Sequence, residues 1–384
     1  MTIIPGAAEA KEKNPVSNVV ILFPDDWAAY SPTLTRLTAR LGEIFTVQVH
    51  VLDTGRMSTA SLDPDVYRRV RLNPRLARLL RKTGMYRLVR TIALARSARA
   101  DVAKAGIVIA VDADGASAAR LLGKPFHLLS LEIGWHPILR HLVSRHALSL
   151  TTQSSERLEY QFEAGSIARL PVFIVQNAPA FDEQGSRLPV RCNIDPERPR
   201  FVYLGNILPI HGLFPMLDLV RTWPKATLTL QGMHSQHTLR EIHRRYAALL
   251  DGGRLRIGSA YVPENELGRF LEDFDIGLCL YQLGWRLRHN FNYTSSPAGK
   301  MFNYFAAGLP VIASRQIGLN PVSVHGAGLQ VEDNSVEALR AAARTILADH
   351  EKYRAACLRA ADHYDFNRSA NRFVDFVRSS IPTR

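Results

Sequence analysis

The chain is expected to be an α/β protein built from two doubly wound parallel sheets in tandem, and three observations predict this. Short apolar runs of the kind that are buried on both faces alternate with helix-patterned segments along the chain. The alternation stops in a proline-rich stretch at residues 177–200, then restarts with the same rhythm. A length of 384 residues is comfortable for two domains of ordinary size. Hydrophobic residues at 46% and charged residues at 22% exclude a largely disordered chain. No apolar run approaches the eighteen residues of a membrane span.

In the first half, NVVILF at residues 18–23 reads as a buried strand leaving through Pro24-Asp25-Asp26. Ser31 followed by Pro32 is a helix start, with Leu34, Leu37 and Leu41 on one face. Residues 45–52 alternate as a strand. Residues 107–111 form another, ending in Asp112-Ala113-Asp114-Gly115 and a helix of small residues. Residues 126–130 lead into Glu132-Ile133-Gly134-Trp135-His136, and strands at 148–152 and 172–175 complete a series of about six. Beyond residue 200 the strands expected are 201–204, 226–230, 255–257, 275–281, 310–313 and 328–331. Helices are expected at 213–221, 238–250, 263–272, 300–307, 336–349 and 352–363.

Charge is unevenly spread. The formal net charge is +13, and the segment from Arg68 to Arg99 holds eleven cations and no Asp or Glu. The rest of the chain is therefore near balance. This segment is expected to be helical in two pieces broken at Thr83-Gly84, with Met85, Leu88, Val89 and Ile92 on one face of the second. Such a concentration points to a polyanionic partner. Cys192, Cys279 and Cys357 are odd in number and far apart, so neither a disulfide framework nor a zinc site is expected. The opening residues MTIIPGAAEAKEKNP lack a basic start before an apolar core, so a cytoplasmic protein is expected.

Ligands of open α/β sheets bind beyond the carboxyl ends of the strands. In the second half those positions are rich in glycine. Gly205-Asn206 through His211-Gly212 is a strand–loop–helix turn whose amides suit a phosphate. In Tyr293 to Ser314 (YTSSPAGKMFNYFAAGLPVIAS), small residues around Pro297 precede a helix with Lys300 in its first turn. A cation there opposes the helix dipole, and it is useful when a diphosphate occupies the same end.

This segment resembles the nucleotide-diphosphate signature of GT-B glycosyltransferases, in the form SP-x-K-x-x-E-Y-x-A-A-G-x-P-V-I-A found in enzymes similar to glycosyltransferase family 4. The order of Val202 to Gly205, His211-Gly212, Leu230 to Gly232, Ile257-Gly258 and Asp275 to Leu278 fits that family too. The match covers roughly residues 200–350. The resemblance implies two Rossmann-like domains facing across a cleft. Their expected limits are residues 1–178 for the acceptor side, a linker at 179–200, and 201–364 for the donor side. Residues 365–384 are expected to form a last helix crossing back to the first domain.

It also implies a donor site at Gly205, Asn206, His211, Gly212, Ser295, Ser296, Lys300 and Asn303. Met233, Tyr261 and Val262, after strand ends further along, are expected near the nucleotide base. The chain departs from the family at four of these positions. The usual loop cations fall on Asn206 and His211, and the usual Glu pair on Ser295 and Asn303. Lys300, Arg286, Arg288 and Arg315 are the cations that remain to hold a diphosphate. Glycosyl transfer also needs a route for the acceptor's proton. That route is the donor phosphate in retaining enzymes of this kind and a carboxylate or His base in inverting ones, and the sequence leaves both courses open. Asp112, Asp114, Glu132 and His136 follow strand ends and are the candidates, with Asp25 and Asp26 beside them.

The function implied is transfer of a sugar from a nucleotide-diphosphate donor to a glycan or lipid-linked acceptor in surface polysaccharide or glycolipid assembly. No metal and no cofactor beyond the donor are expected. The basic segment is expected to dock on an anionic membrane at its inner face, and nucleic acid is not an expected partner. A nucleotide-sugar epimerase of the same architecture, or a degenerate binding protein, is the alternative.

Overall fold

The computed structural model describes residues 18–54, 62–83, 85–134, 136–180, 194–259, 262–282 and 290–380. Cys192, Tyr261, Arg286, Arg288 and most of the expected linker lie outside them. Two compact units result. One comprises residues 1–152, 161–173 and 370–384, the other 153–160 and 174–369.

The first unit is built on strands β1 (Asn18–Phe23), β2 (Thr46–Asp53), β3 (Tyr67–Arg71), β4 (Ala105–Val111), β5 (Phe126–Ser130), β6 (Ala147–Thr152) and β7 (Val172–Ile174). Their order in the sheet is β3-β2-β1-β4-β5-β6-β7. Val19 to Phe23 are buried throughout, as a central parallel strand requires. The helix Pro32–Gly42 opens as its sequence predicts, with the Ser31 hydroxyl accepting from the Leu34 amide at 3.3 Å and proline in the first turn. The helix Asp112–Leu121 is made of small residues because it lies hard against β1. A Cβ on Gly115 would sit 2.7 Å from the Leu22 carbonyl oxygen.

The second unit carries β8 (Arg200–Leu204), β9 (Thr227–Gln231), β10 (Leu255–Gly258), β11 (Ile276–Cys279), β12 (Val311–Ser314) and β13 (Gly328–Val331), in the order β10-β9-β8-β11-β12-β13. Every strand pairing within it is parallel. Both sheets therefore run outward from their first strand in opposite directions. This leaves a switch point between β1 and β4 in one unit, and between β8 and β11 in the other.

Two expectations about the chain change. Arg68, Arg69 and Arg71 are not helical. They lie on β3, an edge strand paired only with β2, where charged side chains protect an open edge. The helices Pro74–Lys82 and Tyr86–Lys104 follow it. Residues 153–160, expected with the first domain, group with the second unit for a physical reason. Tyr160 stacks on Phe291 at 4.1 Å, and the buried Arg157 guanidinium donates to the Asn292 side chain at 3.0 Å. The last helix, Phe366–Ser379, begins in the second unit, and its residues from Ala370 onward belong to the first. There Phe373 and Phe376 pack on the His127 ring.

Candidate functional site

In the second unit the chain leaves β8 through Gly205, whose φ of +113° and exposed backbone make a sharp turn. The returning loop closes at Gly212, with φ of +68°, immediately before the helix Leu213–Arg221. A side chain there would strike Leu280, 2.5 Å away. The loop is fastened to the exit of β11 by the Gln282 amide, which donates to the Ile210 carbonyl at 2.8 Å. It is fastened to the exit of β9 by the Ile207 amide, which donates to the Met233 carbonyl at 2.8 Å. Gly232 is needed for the same closeness, since a Cβ there would overlap the Gly205 carbonyl.

Lys300 enters this crevice from the first turn of the helix Gly299–Ala306. The helix is anchored one turn on by the buried Tyr304, whose hydroxyl accepts from the Leu204 amide at 2.9 Å. Gly277 on β11 makes room for that ring, because a Cβ there would lie 2.6 Å from it. At the other end of the helix, Gly299 lies against the side chain of Asn177, which a Cβ would approach to 2.9 Å. Lys300 Nζ lies 5.1 Å from the Tyr203 ring centre and 5.7 Å from that of Tyr281, and its Cε lies close to Gly205. Tyr281 is itself held by Ser314, whose hydroxyl accepts from its amide at 2.8 Å, and by Asn334, which donates to its carbonyl at 2.8 Å. Among the described residues no carboxylate pairs with Lys300. Burial alone would lower its pKa, but the polar groups of Tyr203, Tyr281, Cys279 and Tyr304 outweigh it, and the ammonium titrates above its ordinary value. The result is a half-buried, permanent cation facing glycine turns and a helix start.

His211 shares the crevice. Its Nδ1 lies 2.7 Å from the Asn206 carbonyl oxygen, which also accepts from the Tyr203 hydroxyl at 2.8 Å. Burial, and then the charge of Lys300, pull its pKa below 6.5, so the ring is neutral near pH 7. Ser296 and Asn303 are half-buried on the same helix start and first turns, and Val262 is half-buried before the helix Glu264–Leu271. Met233 is exposed at the exit of β9. Ser295 does not belong in the site. It is buried, and its hydroxyl is spent on the Phe291 carbonyl at 2.5 Å, closing the short helix Phe291–Thr294. Tyr261, Arg286 and Arg288 lie outside the described residues.

The first unit has a hollow of about 120 Å³ at its own switch point, lined by Phe23, Asp25, Trp27, Arg90, Asp114 and Glu132 among others. Two of its expected proton acceptors are committed elsewhere. Asp112 takes a left-handed φ of +53°, and its carboxylate accepts from the Leu131 and Glu132 amides at 2.8 and 3.0 Å. It locks the exit of β4 to that of β5. Asp114 is 4% exposed and is gripped by Arg87 at 2.8 Å and by Arg90. These two arginines are thus turned onto a carboxylate rather than free on the basic segment. Asp26 is buried and accepts from the Thr54 hydroxyl. Asp25 is the more available group. Arg90 approaches it only to 3.5 Å, and burial lifts its pKa despite the opposing Asp26 amide and Arg90 charge. Glu132 is exposed, and His136 opens the helix His136–His146. Among the described residues no three His, Cys, Asp or Glu side chains are grouped to share a metal ion.

The chain as a whole superposes on a set of solved structures. HepE of Anabaena, in complex with UDP and glucose, superposes with a TM-score of 0.67 at 14% identity, covering 94% of this chain and 100% of that one. The chain has the GT-B fold. Other GT-B structures agree. The α,α-trehalose-phosphate synthase (UDP-forming) of Burkholderia vietnamiensis gives 0.61 at 14% identity, with coverage of 94% and 100%. The lipopolysaccharide outer core galactosyltransferase WaaB gives 0.58 at 13%, with coverage of 94% and 99%. No protein-family model and no curated protein sequence matches the chain.

The sequence alone did not reveal Tyr203 and Tyr281, which frame the lysine, or Asn177, which lies at the start of its helix. A tyrosine two residues before the strand-end Gly205, and another two residues past the end of β11, were the available signals.

Proposed function

We propose that this protein is a glycosyltransferase that moves a sugar from a nucleotide-diphosphate donor to a glycan or lipid-linked acceptor. The observation that carries the reading is Lys300, a fixed cation without a carboxylate partner among the described residues, at the switch point of the second sheet. A half-buried cation with no carboxylate partner attracts an anion, and the glycine turns and helix start beside it are donors for phosphate oxygens. Solved structures of HepE, which has the same fold, contain UDP or UDP-glucose, which supports a nucleotide-sugar donor here.

In this reading Lys300 and the amides around Ser296 and Gly212 stabilise the diphosphate as the sugar's anomeric C–O bond breaks toward it. Asn303 hydrogen-bonds the ribose. The acceptor oxygen forms the new bond to the anomeric carbon as its proton passes to a base, and Asp25 is the first unit's candidate for that role. No metal or further cofactor takes part. The first unit's basic segment docks the enzyme on an anionic lipid surface. One feature supports docking: Leu79, Met85, Leu88 and Ile92 are exposed alongside its cations.

Calorimetry with UDP-, GDP- and dTDP-sugars tests the donor reading. One of them should bind, and Lys300→Ala should weaken it about 10- to 100-fold, the range for a hydrogen bond to a charged group. The melting temperature should move little. Equal affinity for variant and wild type removes Lys300 from the site, and failure of every nucleotide sugar to bind overturns the reading.

A further inference from the structure

His211 and Lys300 flank the same two tyrosine rings. The imidazole lies 5.3 Å from the Tyr281 ring, edge-on, and 6.4 Å from that of Tyr203, the two rings over which the Lys300 ammonium sits. A carbonyl oxygen only accepts, so the contact to Asn206 places a hydrogen on Nδ1. In the neutral ring Nε2 is then a bare lone pair, which repels a phosphate oxygen. Protonated, it becomes a second charged donor beside Lys300.

The groups that face the ring are the Lys300 ammonium, the phenols of Tyr203 and Tyr281, and the Asn206 carbonyl. Among the described residues no carboxylate forms an ion pair with it. Without ligand, burial and the lysine both disfavour the imidazolium. A diphosphate at Lys300 reverses the local field, because its two negative charges outweigh the one positive charge.

We infer that binding of a nucleotide-diphosphate sugar is coupled to uptake of up to one proton by His211, so that the donor itself recruits the second cation of its own site. This rests on the donor reading above. By linkage, affinity should fall as pH rises, by up to tenfold per unit, across the range between the free and the ligand-bound pKa of the imidazole.

UDP-glucose is the suitable probe. Each of its phosphates carries one charge and does not titrate here, unlike a terminal phosphate with its second pKa near 6, so any proton taken up goes to the protein. Titrations near pH 7 in buffers of different ionisation enthalpy count the protons directly. Wild type should take up a measurable fraction of a proton, and its Kd should rise with pH. His211→Gln can still donate to Asn206. It should show no uptake and a flat Kd, with an unchanged melting temperature. His211→Arg should bind without uptake and hold its affinity at high pH. Binding by wild type without uptake, or equal uptake by His211→Gln, overturns this inference alone. If UDP-glucose does not bind, GDP- and dTDP-sugars take its place. Failure of all three overturns the donor reading and this inference with it.

Discussion

The two units carry the same strand order and the same crevice beside their first strand, yet they handle charge in opposite ways. In the second unit one cation, Lys300, stands against tyrosine rings and glycine backbone with no carboxylate pairing among the described residues. In the first unit two cations, Arg87 and Arg90, are gathered onto Asp114, and Arg90 also leans toward Asp25. One topology thus carries, in one place, a cation with no carboxylate partner among the described residues and, in the other, an internally balanced, carboxylate-bearing hollow. The sign of the ligand is set by whether the cation at the switch point is already neutralised. In the proposed function the diphosphate takes the first arrangement and the acceptor the second, whose hollow is lined by Trp27 and Asp25 among others.

Removing the Asp25 carboxylate from the balanced side should have the largest effect. Asp25→Asn should lower the transfer rate by about 10²- to 10⁴-fold, the range of a general base, while the affinity for the nucleotide sugar stays unchanged. The pH profile gives the sign. A base works deprotonated, so the wild-type rate should fall as pH drops through the Asp25 pKa, which burial lifts above its ordinary 3.8. The variant should lose that acid limb. A loss below tenfold would mean that the acceptor's proton leaves by another route and that the hollow only binds.

The next effect is on stability. Asp114→Ala strands two arginines that its carboxylate now neutralises. Breaking a fully buried pair costs about 3–5 kcal/mol, and Arg87 is partly open to water, so about 2–3 kcal/mol is expected. Urea unfolding measures it. Lys300→Ala, on the unpaired side, should cost far less stability for the same loss of one charged side chain. If the two variants lose equal stability, the contrast between a neutralised and an available cation is wrong.

How much of this was legible in the sequence follows from which forces act locally. Strands such as β1 and β5, and the helix Leu213–Arg221, stand where apolar periodicity puts them, because burial on a sheet face leaves a short-range pattern. The lysine of the Gly299–Ala306 helix was legible for a similar reason. A cation in a first turn is locally unfavourable and therefore conspicuous. β3 was hidden because an edge strand needs only one buried face, and its three arginines blur the alternation. The pairing of Arg87 and Arg90 with Asp114 was not legible at all, since it joins two helices whose approach depends on the whole sheet. Ser295 misled because it stands where the family's Glu pair begins, while its position at the end of a four-residue helix turns the hydroxyl back onto Phe291.

The smallest expected effect divides the basic segment by the same criterion of pairing. Arg87 is tied to Asp114 and Arg68 to Asp101 at 3.0 Å. Arg75 and Lys82 are exposed on the Pro74–Lys82 helix, near the exposed Leu79. A cation near an anionic leaflet contributes about 1 kcal/mol, or about fivefold in partition, and only a cation not already paired contributes it in full. Wild type should therefore sediment with vesicles containing anionic lipid at low salt and be released at high salt, where the screening length shrinks toward 3 Å. Arg75→Gln and Lys82→Gln should each weaken that partition about fivefold. Arg87→Gln should change it much less, because its charge is spent inside the unit. Equal losses for all three would show that pairing does not decide which cations meet the lipid. Indifference of the wild type to anionic vesicles would remove the membrane from the proposed function and leave the donor site untouched.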